Sequence, residues 1–172
     1  MFSKNRMRGL FQDFEANRGR PQIQIGLMLF RAAQEIRGEG SKVRMVAAGP
    51  VSILYRLYAL FSLGIDIPVS TLIGPGFAIN HGVGLVIHNR ALIGKDVTVR
   101  QGVTIGSKAG SDAPVLGDGV DVGSGAQVIG PVNVGASAVI GAGAIVTKDV
   151  SAGDTVVGNP AKPIPRKPAR PE

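Results

Sequence analysis

The sequence predicts an all-β fold, a parallel β-helix built from six-residue repeats, with a short α-helical segment before it. From position 67 to position 152 an aliphatic residue returns at every sixth position, apart from two breaks. Six is a multiple of the two-residue strand period and not of the 3.6-residue helical period, so these residues share one face only in extended chain. The recurring residues are Ile67, Ile73, Ile79, Ile87, Ile93, Val99, Ile105, Leu116, Val122, Val128, Val134, Ile140, Val146 and Ala152.

Two further features of the repeats support this fold. Glycine follows many of the recurring residues, and glycine allows the backbone to bend sharply at regular intervals. A second small apolar residue lies four positions after many of them, so each repeat sends two groups into a common interior. A β-sandwich with chance alternation is the alternative, but it does not explain so many equal intervals. The second set is Val97, Val103, Val120, Ala126, Val132, Ala138, Ala144, Val150 and Val156.

Composition divides the chain into three parts. Residues 1–63 form a basic and partly helical segment, residues 64–158 form the β-helix, and residues 159–172 form a basic, proline-rich tail. We expect the tail to be an extended arm.

An apolar helix is predicted just before the β-helix. Residues 51–63 follow Pro50 and stop at Gly64, which is the chemistry of a helix start and stop. With roughly thirteen residues and Arg56 inside, this helix is too short to span a bilayer. We expect it to pack on the end of the β-helix or on a neighbouring subunit.

The formal net charge of +7 belongs to the two ends of the chain. Residues 1–60 hold ten Lys or Arg against four acids, and residues 162–172 hold four against one. There is no tryptophan, and aromatic residues that could stack on bases make up only 5% of the chain. We therefore expect no nucleic-acid partner. Basic residues beside an apolar helix keep peripheral membrane contact open as an alternative.

The chain has no cysteine and two histidines, His81 and His88. A disulfide framework, a thiol nucleophile and a cysteine-ligated zinc site are therefore excluded. Two histidines are too few for a metal-dependent hydrolase, so we expect no metal. The basic start of the chain is followed by Asp13 and Glu15 rather than by an apolar stretch, so we expect no signal peptide and a cytoplasmic location. The alternative is a cytoplasmic protein that docks at the inner face of the membrane.

The two breaks in the repeat are the candidate functional places, because solenoids carry functional loops where the repeat is interrupted. The spacing is eight between Ile79 and Ile87, where the insertion carries His81. The spacing is eleven between Ile105 and Leu116, and the inserted loop covers residues 107–114. Taken alone, a histidine at a corner is more often a solvated turn residue than a catalyst.

Five stretches around these breaks carry a recognisable pattern. They are Gly64-Ile-Asp-Ile-Pro68, Ile73-Gly-Pro-Gly-Phe-Ala-Ile-Asn-His-Gly82, Asp96-Val-Thr-Val-Arg-Gln-Gly-Val-Thr-Ile-Gly106, Ile140-Gly-Ala-Gly-Ala-Ile-Val146 and Val157-Gly-Asn-Pro-Ala161. In these stretches the sequence resembles the serine O-acetyltransferase-like group of hexapeptide-repeat acyltransferases, over about residues 51–164. This resemblance implies a left-handed coil with three hexads per turn, a homotrimer, and acetyl-CoA held as co-substrate in clefts between subunits.

The resemblance also implies catalytic roles for two residues. His81 falls on the general base, and Asp66 falls on the carboxylate that orients it. Acyl transfer to an alcohol needs such a base, because a hydroxyl is a poor nucleophile until its proton is removed. A carboxylate on the other ring nitrogen would fix the tautomer and stabilise the imidazolium.

For the co-substrate, the resemblance places the pantetheine arm along small residues at the edge of the coil. The hexad rule alone would also put small residues there. Basic residues near the end of the chain are candidates for the nucleotide phosphates, since charged donors to phosphate form strong hydrogen bonds. The predicted contacts are Ser124, Gly125, Ala142 and Gly143 for the arm, Gly106 near the thioester, and Lys162, Arg166 or Lys167 for the phosphates.

The acceptor is the open question. Asn80 stands where the family has an aspartate, and Asp112 with Ala113 stands where it has an Arg-His pair. Because Asp112 would repel a carboxylate, we expect a sugar hydroxyl or an exopolysaccharide intermediate, bound by Asn80 and Asp112. The closer likeness is to exopolysaccharide acetyltransferases of the colanic-acid type. A serine O-acetyltransferase of cysteine biosynthesis and a non-catalytic trimeric scaffold are the alternatives.

Overall fold

The computed structural model of the chain describes residues 9–38, 46–108 and 112–164. Two α-helices come first, α1 (Pro21–Arg37) and α2 (Gly49–Leu57), and α2 continues as a π-helical segment, Tyr58–Leu63. Short strands follow. They are β1 (Ile65–Asp66), β2 (Leu72–Ile73), β3 (Ala78–Asn80), β4 (Leu85–Ile87), β5 (Leu92–Ile93), β6 (Thr98–Arg100), β7 (Thr104–Gly106), β8 (Val115–Leu116), β9 (Asp121–Val122), β10 (Gln127–Ile129), β11 (Asn133–Val134), β12 (Val139–Ile140), β13 (Ile145–Val146), β14 (Thr155–Val157) and β15 (Lys162–Pro163).

The strands form three sheets that the chain visits in turn. The first sheet holds β1, β4, β7, β10 and β13, the second holds β2, β5, β8 and β11, and the third holds β3, β6, β9, β12, β14 and β15. Neighbouring strands are parallel except for β15, which runs antiparallel to β14. Each of the first four coils therefore contributes one strand to each face of a triangular prism. The predicted β-helix with a short helical segment before it is confirmed.

The strand register locates the two predicted insertions. Val86 pairs with Thr104, an offset of 18 residues, which is the length of three hexads. Ile65 pairs with Leu85, an offset of 20, so the first coil is two residues longer. Thr104 pairs with Gln127, an offset of 23, so the third coil is five residues longer. The insertions lie where the aliphatic repeat is broken.

The interior of the prism is filled by the two predicted sets of apolar residues. All nine residues of the second set are buried, and so are the recurring aliphatic residues from Ile67 to Val146. The prediction for Ala152 is wrong, because this residue is exposed in the turn before β14. At the last coil the interior positions are taken by Val150 and Val156 instead.

Helix α2 begins two residues earlier than predicted, at Gly49, with Pro50 in its first turn. The π-helical segment ends at Gly64, whose φ of 65° lies in the left-handed region. Tyr55 is buried against Phe30 of α1, and its hydroxyl donates to the carbonyl of Ile67 at 2.9 Å. Burial raises the pKa of the Tyr55 phenol, and the nearby Asp66 carboxylate raises it further. The helix therefore packs on the first coil, as expected.

The opposite side of this helical region is apolar and exposed. Ile53, Leu54, Leu57 and Phe61 are exposed, and Phe61 keeps 83% of its surface. No helix in the described parts of the chain is both long enough and apolar enough to cross a membrane.

The segment before α1 contacts the first coil of the β-helix through buried polar side chains. Residues 10–19 form consecutive turns, and Asp13 and Asn17 are buried. The side chain of Asn17 donates to the carbonyl of Phe77 at 2.8 Å and accepts from the backbone N–H of Ile79 at 2.9 Å. β3 is the edge strand of the third sheet, so the Phe77 carbonyl and the Ile79 N–H have no neighbouring strand on this side. The side chain of Asn17 forms the hydrogen bonds that such a strand would form.

A buried ion pair completes this N-terminal cap. Both nitrogens Nε and Nη2 of Arg31 donate to the carboxylate of Asp13, at 2.8 and 3.2 Å. The same guanidinium donates to the carbonyls of Ile73 and Gly74 at 2.8 and 2.9 Å. We call Asp13, Asn17 and Arg31 the N-terminal cap. It closes the open end of the β-helix.

The described part of the predicted tail, residues 159–164, is not a free arm. Lys162 and Pro163 form β15, which pairs with Val156 and Val157 of β14. The predicted phosphate contacts Arg166 and Lys167 lie outside the described residues.

Candidate functional site

The first insertion lies on one edge of the prism, where the chain passes from the third sheet to the first. We call the turns on this edge, residues 81–84, 101–102, 124–125 and 142–143, the histidine corner. Each turn contains a glycine with φ between 67° and 77°, in the left-handed region that favours glycine. The turns stack closely: a Cβ added to Gly102 would lie only 3.4 Å from Cα of Gly125 in the next turn. These glycines are Gly84, Gly102, Gly125 and Gly143.

His81 occupies the longest turn of this edge. It is exposed, and its φ of 55° is unusual for a residue with a side chain. The next residue is Gly82, where an added Cβ would lie 2.5 Å from Cδ1 of Ile65 and 2.9 Å from Cγ2 of Ile79. Gly82 thus allows the turn to press against the core of the first coil. The two extra residues of this coil carry the imidazole out to the edge.

Asp66 lies in β1, next to the residue that Gly82 contacts. Its carboxylate accepts from Nη1 of Arg56 at 3.3 Å, and both side chains are about half exposed. Within the described residues no hydrogen bond joins Asp66 to His81. The two residues nevertheless flank one contact, that of Ile65 with Gly82. An ion pair as exposed as that of Asp66 with Arg56 is weak, so the carboxylate is free to exchange partners.

Four of the predicted co-substrate contacts share the histidine corner. Ser124 and Gly125 form one turn, and Ala142 and Gly143 form the turn below it, tied by a hydrogen bond from the Gly143 N–H to the Ser124 carbonyl at 2.8 Å. A Cβ added to Gly125 or Gly143 would meet nothing within 4 Å. The edge is therefore open to an elongated ligand.

Lys162 lies at the lower end of this edge and is exposed. Its neighbour Ala161 donates through its backbone N–H to Ile145 at 2.8 Å, which holds β15 beneath the Ala142 turn. Gly106 is different, because it ends β7 at the far side of the first sheet. A three-residue strand spans about 10 Å, so Gly106 is about one strand length from the histidine corner.

The two predicted acceptor contacts lie at different corners of the chain. Asn80 ends β3 beside His81, and its side-chain oxygen accepts a hydrogen bond from Nη1 of Arg20. Asp112 lies in the loop after β7, where its carboxylate is 3.9 Å from Nη1 of Arg90. Asp112 is therefore accompanied by a cation, which offsets the repulsion of an anionic acceptor that we expected from it.

Sequence reasoning missed Arg20. Its contact with Asn80 joins residues sixty positions apart, through a segment that we interpreted only as basic and polar. Nη2 of the same side chain donates to the carbonyl of Ala16 at 2.6 Å. No repeat or motif in the sequence signals this contact.

The second histidine has a local partner. The Nδ1 atom of His88 accepts from the backbone N–H of Arg90 at 3.2 Å, which is a turn interaction. Within the described residues no group of three or more His, Asp or Glu side chains is placed to hold a metal ion.

Comparison with known proteins points to one group of enzymes. The chain is 45% identical over 109 residues to a serine acetyltransferase of Helicobacter pylori, which covers 62% of this chain and 64% of that protein. It is 36% identical over 139 residues to serine acetyltransferase 2 of Arabidopsis thaliana, covering 79% of this chain and 41% of that protein. The chain thus spans about two fifths to two thirds of the length of these relatives. No family model matches the chain.

Solved structures agree with these relatives. The soybean serine acetyltransferase apoenzyme superposes with a TM-score of 0.77 at 28% sequence identity, covering 94% of this chain and 70% of that chain. A serine acetyltransferase in complex with cysteine superposes with a TM-score of 0.74 at 25% identity, covering 90% and 68%.

These comparisons correct one prediction from the sequence. The expectation of a sugar or exopolysaccharide acceptor is wrong, because the relatives and the structural neighbours are serine acetyltransferases. The same finding gives no support to a closer likeness with the colanic-acid type. In the structure Asn80 contacts Arg20 and Asp112 lies beside Arg90, so a positive charge stands near each of the two residues from which we had inferred a neutral acceptor. The chain is serine acetyltransferase-like in its sequence and in its fold.

Proposed function

We propose that this chain transfers the acetyl group of acetyl-CoA to the hydroxyl of L-serine. The observation that carries the proposal is its similarity to serine acetyltransferases along the β-helix, at 45% identity to the Helicobacter pylori enzyme. The structure adds an exposed histidine in the lengthened turn of an otherwise regular coil.

In the proposed reaction His81 is the general base. The imidazole takes the proton of the serine hydroxyl as the oxygen attacks the thioester carbonyl. The tetrahedral oxyanion collapses, the carbon–sulfur bond breaks, and the imidazolium returns a proton to the departing thiolate. The products are O-acetylserine and coenzyme A. An exposed position suits this role, because the base must reach a substrate that enters from solvent or from a cleft.

Asp66 is proposed as the carboxylate that orients His81. Its position beside the Ile65–Gly82 contact supports this role. The pairing requires the carboxylate to leave or share Arg56, at little cost because both side chains are about half exposed. Bound to the imidazolium, the carboxylate would stabilise the charge that forms on proton transfer.

Acetyl-CoA is proposed to lie along the histidine corner below His81. The open space over Gly125 and Gly143 and the exposed Ala142 leave room for a pantetheine arm. Lys162 at the lower end of the edge is proposed to meet a phosphate.

The site is proposed to lie between subunits of a homotrimer. The proposed site residues within one chain lie at two corners of the prism, with Asn80 at one and Gly106 and Asp112 at the other. Two exposed apolar side chains lie in the first of these corners and in the strand that follows it, Val83 and Val86. A second copy of the chain would cover them.

Peripheral membrane contact through the basic N-terminal segment stays a prediction.

The acceptor is tested by the release of coenzyme A thiol from acetyl-CoA. We expect saturable turnover with L-serine and background release with neutral monosaccharides at equal concentration. Mass spectrometry of the product should show one acetyl group added to serine. Turnover with sugars and none with serine would contradict the proposal.

A further inference from the structure

An arginine touches the residue that precedes the proposed base. Arg20 is the residue directly before α1, and its Nη1 donates to the side-chain oxygen of Asn80. Asn80 is joined directly to His81, at the end of β3. A fixed positive charge thus stands beside the histidine corner.

This charge is not matched by a carboxylate in the described part of the chain. Five other described arginines form ion pairs, including the buried pair of Arg31 with Asp13 and the pair of Arg100 with Asp121. The hydrogen bond to Asp121 raises the pKa of Arg100. The partners of Arg20 are two neutral oxygens, those of Asn80 and Ala16.

The environment of Arg20 favours the binding of an anion, since the guanidinium has no carboxylate partner among the described residues. The side chain is partly buried, and its Nε is buried with no hydrogen-bond partner among the described residues. Withdrawing a cation from water without an anion costs free energy. Only two of the five N–H groups of the guanidinium are used. Helix α1 has no acidic residue in its first turn, so the positive end of its dipole adds to the same potential.

We propose that Arg20 binds the carboxylate of the amino-acid acceptor. This inference rests on the proposed function, and it specifies how the site selects an acceptor that carries a carboxylate as well as a hydroxyl. The planar guanidinium donates to the carboxylate while Asn80 holds the side chain next to His81. The N-terminal segment, and not the β-helix, then supplies the specificity.

The test compares L-serine with L-serinamide, which keeps the hydroxyl and the amine but lacks the carboxylate. In Arg20→Gln, kcat/KM for serine should fall roughly 10- to 100-fold, the scale of a lost hydrogen bond to a charged group. The value for serinamide and the KM for acetyl-CoA should stay within about twofold, since neither depends on the carboxylate contact. Arg20→Lys should recover part of the preference for serine.

Arg18→Gln is the matched control, because Arg18 belongs to the same segment and forms an exposed pair with Glu15. Arg18→Gln should leave kcat/KM unchanged for both serine and serinamide. Equal losses for serine and serinamide in Arg20→Gln would overturn the inference and assign Arg20 a structural role. Absence of serine turnover in the parent protein would instead overturn the proposed function.

Arg20→Met provides a second test if Arg20→Gln does not fold, because the thioether side chain fills part of the same space without a charge. The ratio of kcat/KM for serine over serinamide should fall about 10-fold or more in this variant too. An unchanged ratio would contradict the role of Arg20.

Discussion

Single residues at the histidine corner are selected by the space around them. Gly82 lies so close to Ile65 and Ile79 that a side chain there would displace core atoms. His81 adopts a left-handed backbone conformation that few residue types occupy. The sequence located both residues through the break in the repeat. It could not locate Arg20, because that contact depends on how a distant, irregular segment folds back.

Ala142 tests the proposed path of the co-substrate at the residue scale. Ala142→Trp should raise the KM for acetyl-CoA by about 10-fold or more, because the indole would fill the open edge. The KM for serine and the thermal midpoint should change little, since Ala142 is exposed. Initial-rate kinetics with each substrate varied separately measure this.

Ala136→Trp is the matched control, because Ala136 is an exposed turn residue between the second and third sheets. It follows Gly135 as Ala142 follows Gly141. Equal effects of the two substitutions would show that the co-substrate does not follow the histidine corner.

At the scale of elements, the six-residue repeat explains the coils of the β-helix but not the N-terminal cap that covers the first coil. The six-residue period predicts the strands and both insertions, because inward residues of extended chain are spaced by multiples of two. The N-terminal cap lies outside this periodicity. Its buried Asp13, Asn17 and Arg31 are polar residues, which a pattern of hydrophobicity interprets as exposed. Only the structure shows that they satisfy the unpaired backbone edge of the first coil.

The ion pair of the cap should contribute strongly to stability. Asp13→Asn would leave the charge of Arg31 buried without its counter-ion, and breaking a buried pair in this way costs roughly 3–5 kcal/mol. Urea unfolding followed by circular dichroism measures the change in the free energy of unfolding. Glu15→Gln, which removes an exposed pair with Arg18, should have no measurable effect. A similar stability for both variants would contradict the capping role.

On the scale of the whole molecule, the fold could be predicted from the sequence, whereas the class of acceptor substrate could not. A periodic core imposes its pattern on many residues, whereas acceptor selection depends on a few side chains and their partners. The resemblance to serine O-acetyltransferases implies that Asn80 stands where those enzymes have an aspartate, and Asp112 with Ala113 where they have an Arg-His pair. It does not show that arginines lie beside both Asn80 and Asp112. In the proposed homotrimer, two subunits would bring the two corners of the proposed site together.

The central claim is that His81 acts as the base that activates the acceptor hydroxyl. The most direct measurement is steady-state thiol release with acetyl-CoA and L-serine in His81→Asn, beside the parent protein. We predict that kcat falls by roughly 10²- to 10⁴-fold while acetyl-CoA binding, measured by calorimetry, is retained. Turnover within a few fold of the parent would contradict the claim and remove His81 from the chemistry.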